Sequence, residues 1–177
     1  MQKKGFTLLE ILLVIVILVV VSLFAVPAYK KSIARSKYNS ALGTLVQFGT
    51  ALQMLKQDTG VSWQMDPVRF VPSTWFTDTN VSEAEQLDKN EINDINPAMF
   101  KAALVAHGYM IKPLSLDSTY DFYMCNLNGD PEFCCQEDTL ACMQLPAGTC
   151  VEGTNEEFAG ALFKRDGSYS RIKNCIE

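Results

Sequence analysis

The chain has 177 residues and a single histidine, His107. So little histidine excludes most His-based metal sites and leaves acid–base catalysis few candidates. Internal repeats and low-complexity tracts are absent, and no C-x-x-C occurs. No cysteine precedes Cys125, and no Lys or Arg lies between Lys4 and Lys30. Basic side chains number 15 against 20 acidic, a formal net charge of −5, which argues against a generic nucleic-acid binder. Charged residues are 20% and hydrophobic residues 48%, so wholesale disorder is excluded. The length suits one domain, or one domain with an appendage.

What is present is unevenly laid out. From Phe6 to Val26 only Thr7, Glu10 and Ser22 are polar. As a helix rising ~1.5 Å per residue, this run spans roughly 31 Å, the hydrocarbon thickness of a bilayer. It is too long for a secretory signal peptide, and Val26-Pro27-Ala28-Tyr29 is a poor cleavage site of that kind. A plain single-pass anchor accounts for the run but not for Glu10. An ionised group in lipid costs ~2.5–3.5 kcal/mol on insertion scales, and no basic side chain stands at helical spacing from it. Snorkelling to the interface is the alternative fate for such a carboxylate. Ahead of the run stands a short basic leader, Met1-Gln2-Lys3-Lys4-Gly5.

Lys3-Lys4-Gly5-Phe6-Thr7-Leu8-Leu9-Glu10, the apolar run and then Pro27 resemble the processing motif of type IV prepilins. The resemblance covers residues 1 to about 57. It implies cleavage between Gly5 and Phe6 by a membrane prepilin peptidase, then methylation of the new Phe6 amino terminus. It also implies that Glu10 meets the Phe6 amine of a neighbouring subunit during assembly. The charges agree with that: each is costly in lipid alone, and a carboxylate whose partner lies on the next subunit selects one axial register. Charge counting is less tidy. Lys3 and Lys4 flank one end of the run, and Lys30, Lys31, Arg35 and Lys37 the other, which by itself favours the reverse orientation. The leader motif and the cysteine distribution outweigh that count.

Beyond Pro27 the pattern is amphipathic. Tyr38, Ala41, Leu45, Phe48, Leu52 and Leu55 recur at three- and four-residue spacing, one face of a helix that Asp58-Thr59-Gly60 stops. The reading is one helix over 6–57, kinked or locally opened at Pro27, with Gly43 and Gly49 weakening it slightly. Many pilins carry a glycine late in the apolar run, whereas this chain has Val19-Val20-Val21. Residues 1–5 are read as leader, 6–26 as membrane or filament core, and 58–177 as a globular head.

The head reads as α+β. Irregular connections are expected first, including Val81–Asp94. A short helix is expected over Pro97–Val105, capped by Asn96 and stopped at Gly108. A strand is expected at Tyr120–Met124, and a hairpin joins Phe158–Phe163 to Ser168–Ile172 through Lys164-Arg165-Asp166-Gly167. The expected architecture is a small antiparallel sheet laid against the long helix, closed by a disulfide-rich C-terminal region.

All six cysteines (Cys125, Cys134, Cys135, Cys142, Cys150 and Cys175) fall in the last third, which fits disulfides formed outside the cytoplasm. Adjacent Cys134 and Cys135 are poor zinc spacing. They are also too close to join each other readily, so they should tie two different elements. In the resembled family a C-terminal disulfide is common, and Cys175 resembles its bounding cysteine.

Asn126, Asn128, Asp130 and Glu132 form a loop with calcium-like oxygen ligands, but lack the full calcium-loop pattern and also make a good turn. Lys164, Arg165, Arg171 and Lys173 make the hairpin locally basic, as DNA capture would need; acidic surroundings favour a solvated hairpin instead. Residues 58–157 carry 17 acidic against four basic side chains, above a stem at 30–57 with five basic and none acidic. No cofactor, nucleic-acid partner or enzymatic activity is expected.

The resemblance implies a structural pilin subunit that polymerises into a type IV pilus, serving adhesion, motility or DNA uptake. The alternatives are a pseudopilin of type II secretion and a monomeric anchored binding domain. Partners would be other pilin subunits, the peptidase, the inner-membrane assembly machinery and, before assembly, lipid. Localisation would be the inner membrane with the head outside the cytoplasm, then the extracellular pilus.

Overall fold

The structure, a computed structural model, describes residues 7–60, 68–70, 78–88, 97–111, 119–125, 134–146, 149 and 156–172. The chain divides into two compact units, Met1–Ser36 and Lys37–Glu177. One helix, α1 (Leu8–Thr59), runs through both.

In the first unit α1 is solvent-facing on every side, with Leu8 through Val26 exposed around the whole circumference. No amphipathic stripe exists because nearly every residue is aliphatic. By length and composition α1 is long and apolar enough to cross a membrane. Pro27 lies inside it without interrupting the helical assignment. Ser22 Oγ donates to the Leu18 carbonyl (2.7 Å), so this polar side chain is satisfied by its own helix.

In the second unit α1 becomes one-sided. Tyr38, Ala41, Leu45, Phe48, Ala51, Leu52 and Leu55 are buried, as the three- and four-residue spacing requires. Gly60 ends the helix: its φ of +69° is open to glycine, and its amide donates to the Lys56 carbonyl (2.9 Å).

The buried face packs on a five-stranded sheet ordered β1 (Val68–Phe70), β2 (Asp121–Met124), β3 (Thr139–Gln144), β4 (Gly160–Lys164) and β5 (Tyr169–Ile172). Every pairing is antiparallel between neighbours. Two short helices, α2 (Asp78–Ala84) and α3 (Pro97–Ala106), precede β2.

Strand alternation separates the two faces of the sheet. The rows Phe122–Met143–Ala161–Arg171 and Met124–Ala141–Phe163–Tyr169 share the α1 side. The row Tyr123–Cys142–Leu162 lies on the other side, where Cys125, Cys134 and Cys135 cover it. So one sheet face is closed by a helix and the other by cystine-bearing chain. Tyr38 closes the helix side with its hydroxyl donating to the Gly160 carbonyl (3.3 Å). Its ring lies 5.5 Å from Phe158 and 6.1 Å from Tyr120, while the Arg171 guanidinium stands 5.6 Å over it. Burial pushes the Tyr38 hydroxyl above its ordinary pKa, and Arg171 partly opposes that.

The expected architecture of long helix, small antiparallel sheet and C-terminal disulfides is the observed one. Several details differ. The irregular connection expected over Val81–Asp94 contains the end of α2, a seven-residue helix with β-branched and polar residues that carries no readable apolar period. Strands β1 and β3 were not anticipated. Three residues are too few to show alternation, and β3, Thr-Leu-Ala-Cys-Met-Gln, is buried on both faces and so shows no period of two. The hairpin lies where expected, with Gly167 (φ +83°) in the left-handed position of its turn and Lys164 N–H donating to the Ser168 carbonyl (2.8 Å). The Asn96 cap lies outside the described residues.

Gly49 has a different role from the one its helix propensity suggested. It packs flush against the Phe163 ring, where a Cβ would overlap the ring carbons. The helix approaches the sheet closely there because residue 49 has no side chain.

Candidate functional site

The site implied by the leader motif is the start of α1. Gly5 and Phe6 lie outside the described residues. Thr7 and Glu10 do not, and they form a capping box. Thr7 N–H and its hydroxyl both donate to Glu10 Oε2 (3.1 and 3.2 Å), and Glu10 N–H donates to Thr7 Oγ1 (3.3 Å). The Thr7 carbonyl also accepts from the Glu10 and Ile11 amides, which makes Thr7 the N-cap residue. The helix N-terminus is the positive end of the backbone dipole, so a carboxylate is favoured there. Glu10 therefore has partners within its own chain: two donors that offset part of its desolvation cost. The Thr-x-x-Glu spacing that signals this cap is readable in the sequence, and the charge argument alone passed over it.

Pro27 lies inside α1 in the first unit. Lys30, Lys31 and Arg35 follow it on the exposed helix surface. Lys37, in the second unit, donates to Thr119 Oγ1 (3.2 Å).

The cysteines of the head resolve into two bridges among the described residues, Cys125–Cys135 and Cys134–Cys142, with Cα separations of 5.3 and 5.9 Å. The adjacent pair reaches two different elements: Cys135 to the end of β2, Cys134 to β3. All four are buried. Each bridge closes a loop of about ten residues, worth ~2–3 kcal/mol by loop-closure entropy, less than twice that for both because the loops overlap. Cys150 and Cys175 lie outside the described residues.

The calcium-like set Asn126, Asn128, Asp130 and Glu132 also lies outside the described residues, as does Lys173. The rest of the basic hairpin is engaged locally. Arg165 approaches Asp138 at 3.7 Å, its amide donates to the Asp138 carbonyl (2.9 Å), and Arg171 covers Tyr38. The Ser168 hydroxyl and amide donate to Asp166 (2.6 and 2.8 Å) and hold its carboxyl below the usual range. His107 follows α3, with its amide donating to the Ala103 carbonyl (2.9 Å), a helix-end position.

Comparison with known proteins addresses the same N-terminal stretch. The family described as "Prokaryotic N-terminal methylation motif" matches residues 1–26. A curated relative, the fimbrial protein EcpC of Eikenella corrodens, is 29% identical over 140 residues, covering 74% of this chain and 87% of the relative. No solved structure matches. A capped apolar helix starts within the matched motif and a sheet packs on its second half; the chain carries the prokaryotic N-terminal methylation motif over residues 1–26 and is similar along most of its length to a fimbrial protein.

Proposed function

We propose that the chain is a structural subunit of a type IV pilus, non-enzymatic, made as a precursor and matured at its N-terminus. A prepilin peptidase removes residues 1–5, leaving Phe6 as the methylated terminus. The long helix, Leu8–Thr59, begins in the 6–26 segment that crosses the inner membrane and later fills the filament core, and the residues after it are the head, held outside the cytoplasm. The observation that carries the reading is an apolar helix exposed around its circumference from Leu8 to Val26, whose one carboxylate stands at its first turn. Lipid tails and neighbouring helices are equally apolar, so exchanging one for the other costs little. Packing and charge pairing then set the bias toward assembly.

The capping box refines the role of Glu10. In the unassembled subunit its carboxylate is held by Thr7; in the filament it pairs with the Phe6 amine of an adjacent subunit. Assembly exchanges weak neutral donors for a charged one, and charge-assisted hydrogen bonds are roughly twice as strong. The fimbrial relative favours a pilus over a secretion pseudopilus.

The test is mass spectrometry of membrane and sheared-filament fractions. A chain starting at methylated Phe6 and abundant in filaments is the expected result. A solitary membrane protein that retains residues 1–5 would reduce it to a tethered extracytoplasmic domain.

A further inference from the structure

We propose that α1 carries a site for one anionic phospholipid of the leaflet on the head's side: an acyl chain lies in a groove between Ile15 and Pro27, and the phosphate meets Lys30. This rests on the reading of residues 6–26 as membrane-spanning. An open groove runs along one face of the helix, lined by Ile15, Leu18, Val19, Ser22, Val26 and Pro27. From Ile15 to Pro27 the helix rises about 18 Å, slightly more than one leaflet of a ~30 Å hydrocarbon core. Ile17 is the midpoint of the exposed Leu8–Val26 stretch, so the groove occupies its C-terminal half.

The groove suits an apolar occupant. Its polar lining side chain, Ser22, already donates to the Leu18 carbonyl (2.7 Å) and makes no demand on a ligand. Ser22 is also smaller than Leu18 and Val26, one turn to either side, and that leaves the hollow between them.

Lys30 stands at the end of this groove. It follows Val26 by four residues and Pro27 by three, which places it on the same helix face. It is exposed and rises about 6 Å past Val26, within a headgroup layer of ~5–8 Å. Helical side chains lean toward the N-terminus, so its ammonium reaches back over the end of the groove. Tyr29 beside it is 68% exposed, as an aromatic at the membrane interface is. No acidic residue lies between Glu10 and Asp58, so this stretch of helix offers Lys30 no carboxylate. Cations at this end oppose the positive-inside bias, so orienting the chain is not what they do.

Charge selects the lipid. A zwitterionic headgroup brings its own ammonium, whereas an anionic one leaves its phosphate charge for Lys30. A second copy's apolar run would also fill the groove, but it carries no charge from Ile11 to Tyr29 and leaves Lys30 without a counter-ion.

The experiment is native mass spectrometry of the full-length chain in detergent, given phosphatidylglycerol and phosphatidylcholine with identical acyl chains. A Lys3→Gln/Lys4→Gln background removes the leader's own cations. One cation at an anionic headgroup is worth about a fivefold preference, so phosphatidylglycerol should be retained about fivefold more strongly. Lys30→Gln should lose most of that preference. Arg35→Gln, five residues further on and on a different face, should leave it nearly intact. Ser22→Leu fills the groove and should weaken retention of both lipids. Equal retention of the two lipids overturns the inference, as does an Arg35→Gln loss equal to that of Lys30→Gln, or a Ser22→Leu chain that holds lipid as wild type does. Alkaline carbonate washing separates this from the membrane reading. A chain stripped from membranes overturns both, whereas one that stays integral yet shows no lipid preference overturns this inference alone.

Discussion

Replacing Gly49 with alanine tests whether α1 and the sheet are in direct contact through a missing side chain. In a solvent-facing helix position the change is stabilising by ~1 kcal/mol, because alanine restricts the unfolded backbone. Gly43 is such a position: it is exposed, and a Cβ there meets nothing within 4 Å. At Gly49 the added methyl overlaps three carbons of the Phe163 ring, and Phe163 is only 3% exposed in the middle of β4. The ring must leave its rotamer or the helix must lift. Forced overpacking of this kind costs ~1–3 kcal/mol, which outweighs the propensity gain. Gly49→Ala should therefore lose about 1–2 kcal/mol while Gly43→Ala gains up to about 1. For a chain of this size the two melting temperatures should differ by roughly 5–10 °C. Thermal unfolding of the full-length chain in detergent, followed by circular dichroism, reads this directly. Phe163→Leu added to Gly49→Ala should recover part of the loss, a coupling that the double-mutant cycle isolates. Equal or higher stability of Gly49→Ala compared with Gly43→Ala would refute the packing argument.

Glu10→Ala should still be cut after residue 5 yet enter filaments poorly; incorporation at wild-type levels in sheared fractions would remove the carboxylate from assembly. Thr7→Val deletes the hydroxyl of the capping box and should weaken the first turn of α1 by ~1 kcal/mol, seen as faster amide exchange over residues 8–11. Lys101 in α3 is 6% exposed, and burial lowers its pKa to about 8. Between pH 8 and 10.5 the unfolded chain holds that proton and the native one has released it, so stability should rise with pH across this window. Lys101→Met should flatten the rise, and an unchanged slope in urea midpoints would show that Lys101 is not its source. Tyr38→Phe removes the hydrogen bond to the Gly160 carbonyl and should cost ~0.5–1.5 kcal/mol in urea unfolding, with its ring contacts kept.

The long helix was legible because one-dimensional signals specify it: an unbroken apolar run, then a seven-residue alternation from Tyr38 to Leu55, then Gly60. The hairpin was legible because Asp166-Gly167 demands a particular backbone. β3 was not, since a strand covered by α1 on one side and cystines on the other has no polar face to mark its period. α2 and β1 were too short for any period to emerge.

The N-terminal motif is legible from residue order alone, because leader, Gly5, Phe6 and Glu10 are neighbours along the chain, and the Thr7–Glu10 cap is legible too, since it spans one helical turn. Which sulfurs meet, and why residue 49 is glycine, depend on groups many residues apart. Cys134 reaches Cys142 on β3 while its neighbour Cys135 reaches Cys125 at the end of β2, and Gly49 meets Phe163 only when helix and sheet close on each other. Contacts of that kind carry no local sequence period, so only the packed tertiary structure could decide them.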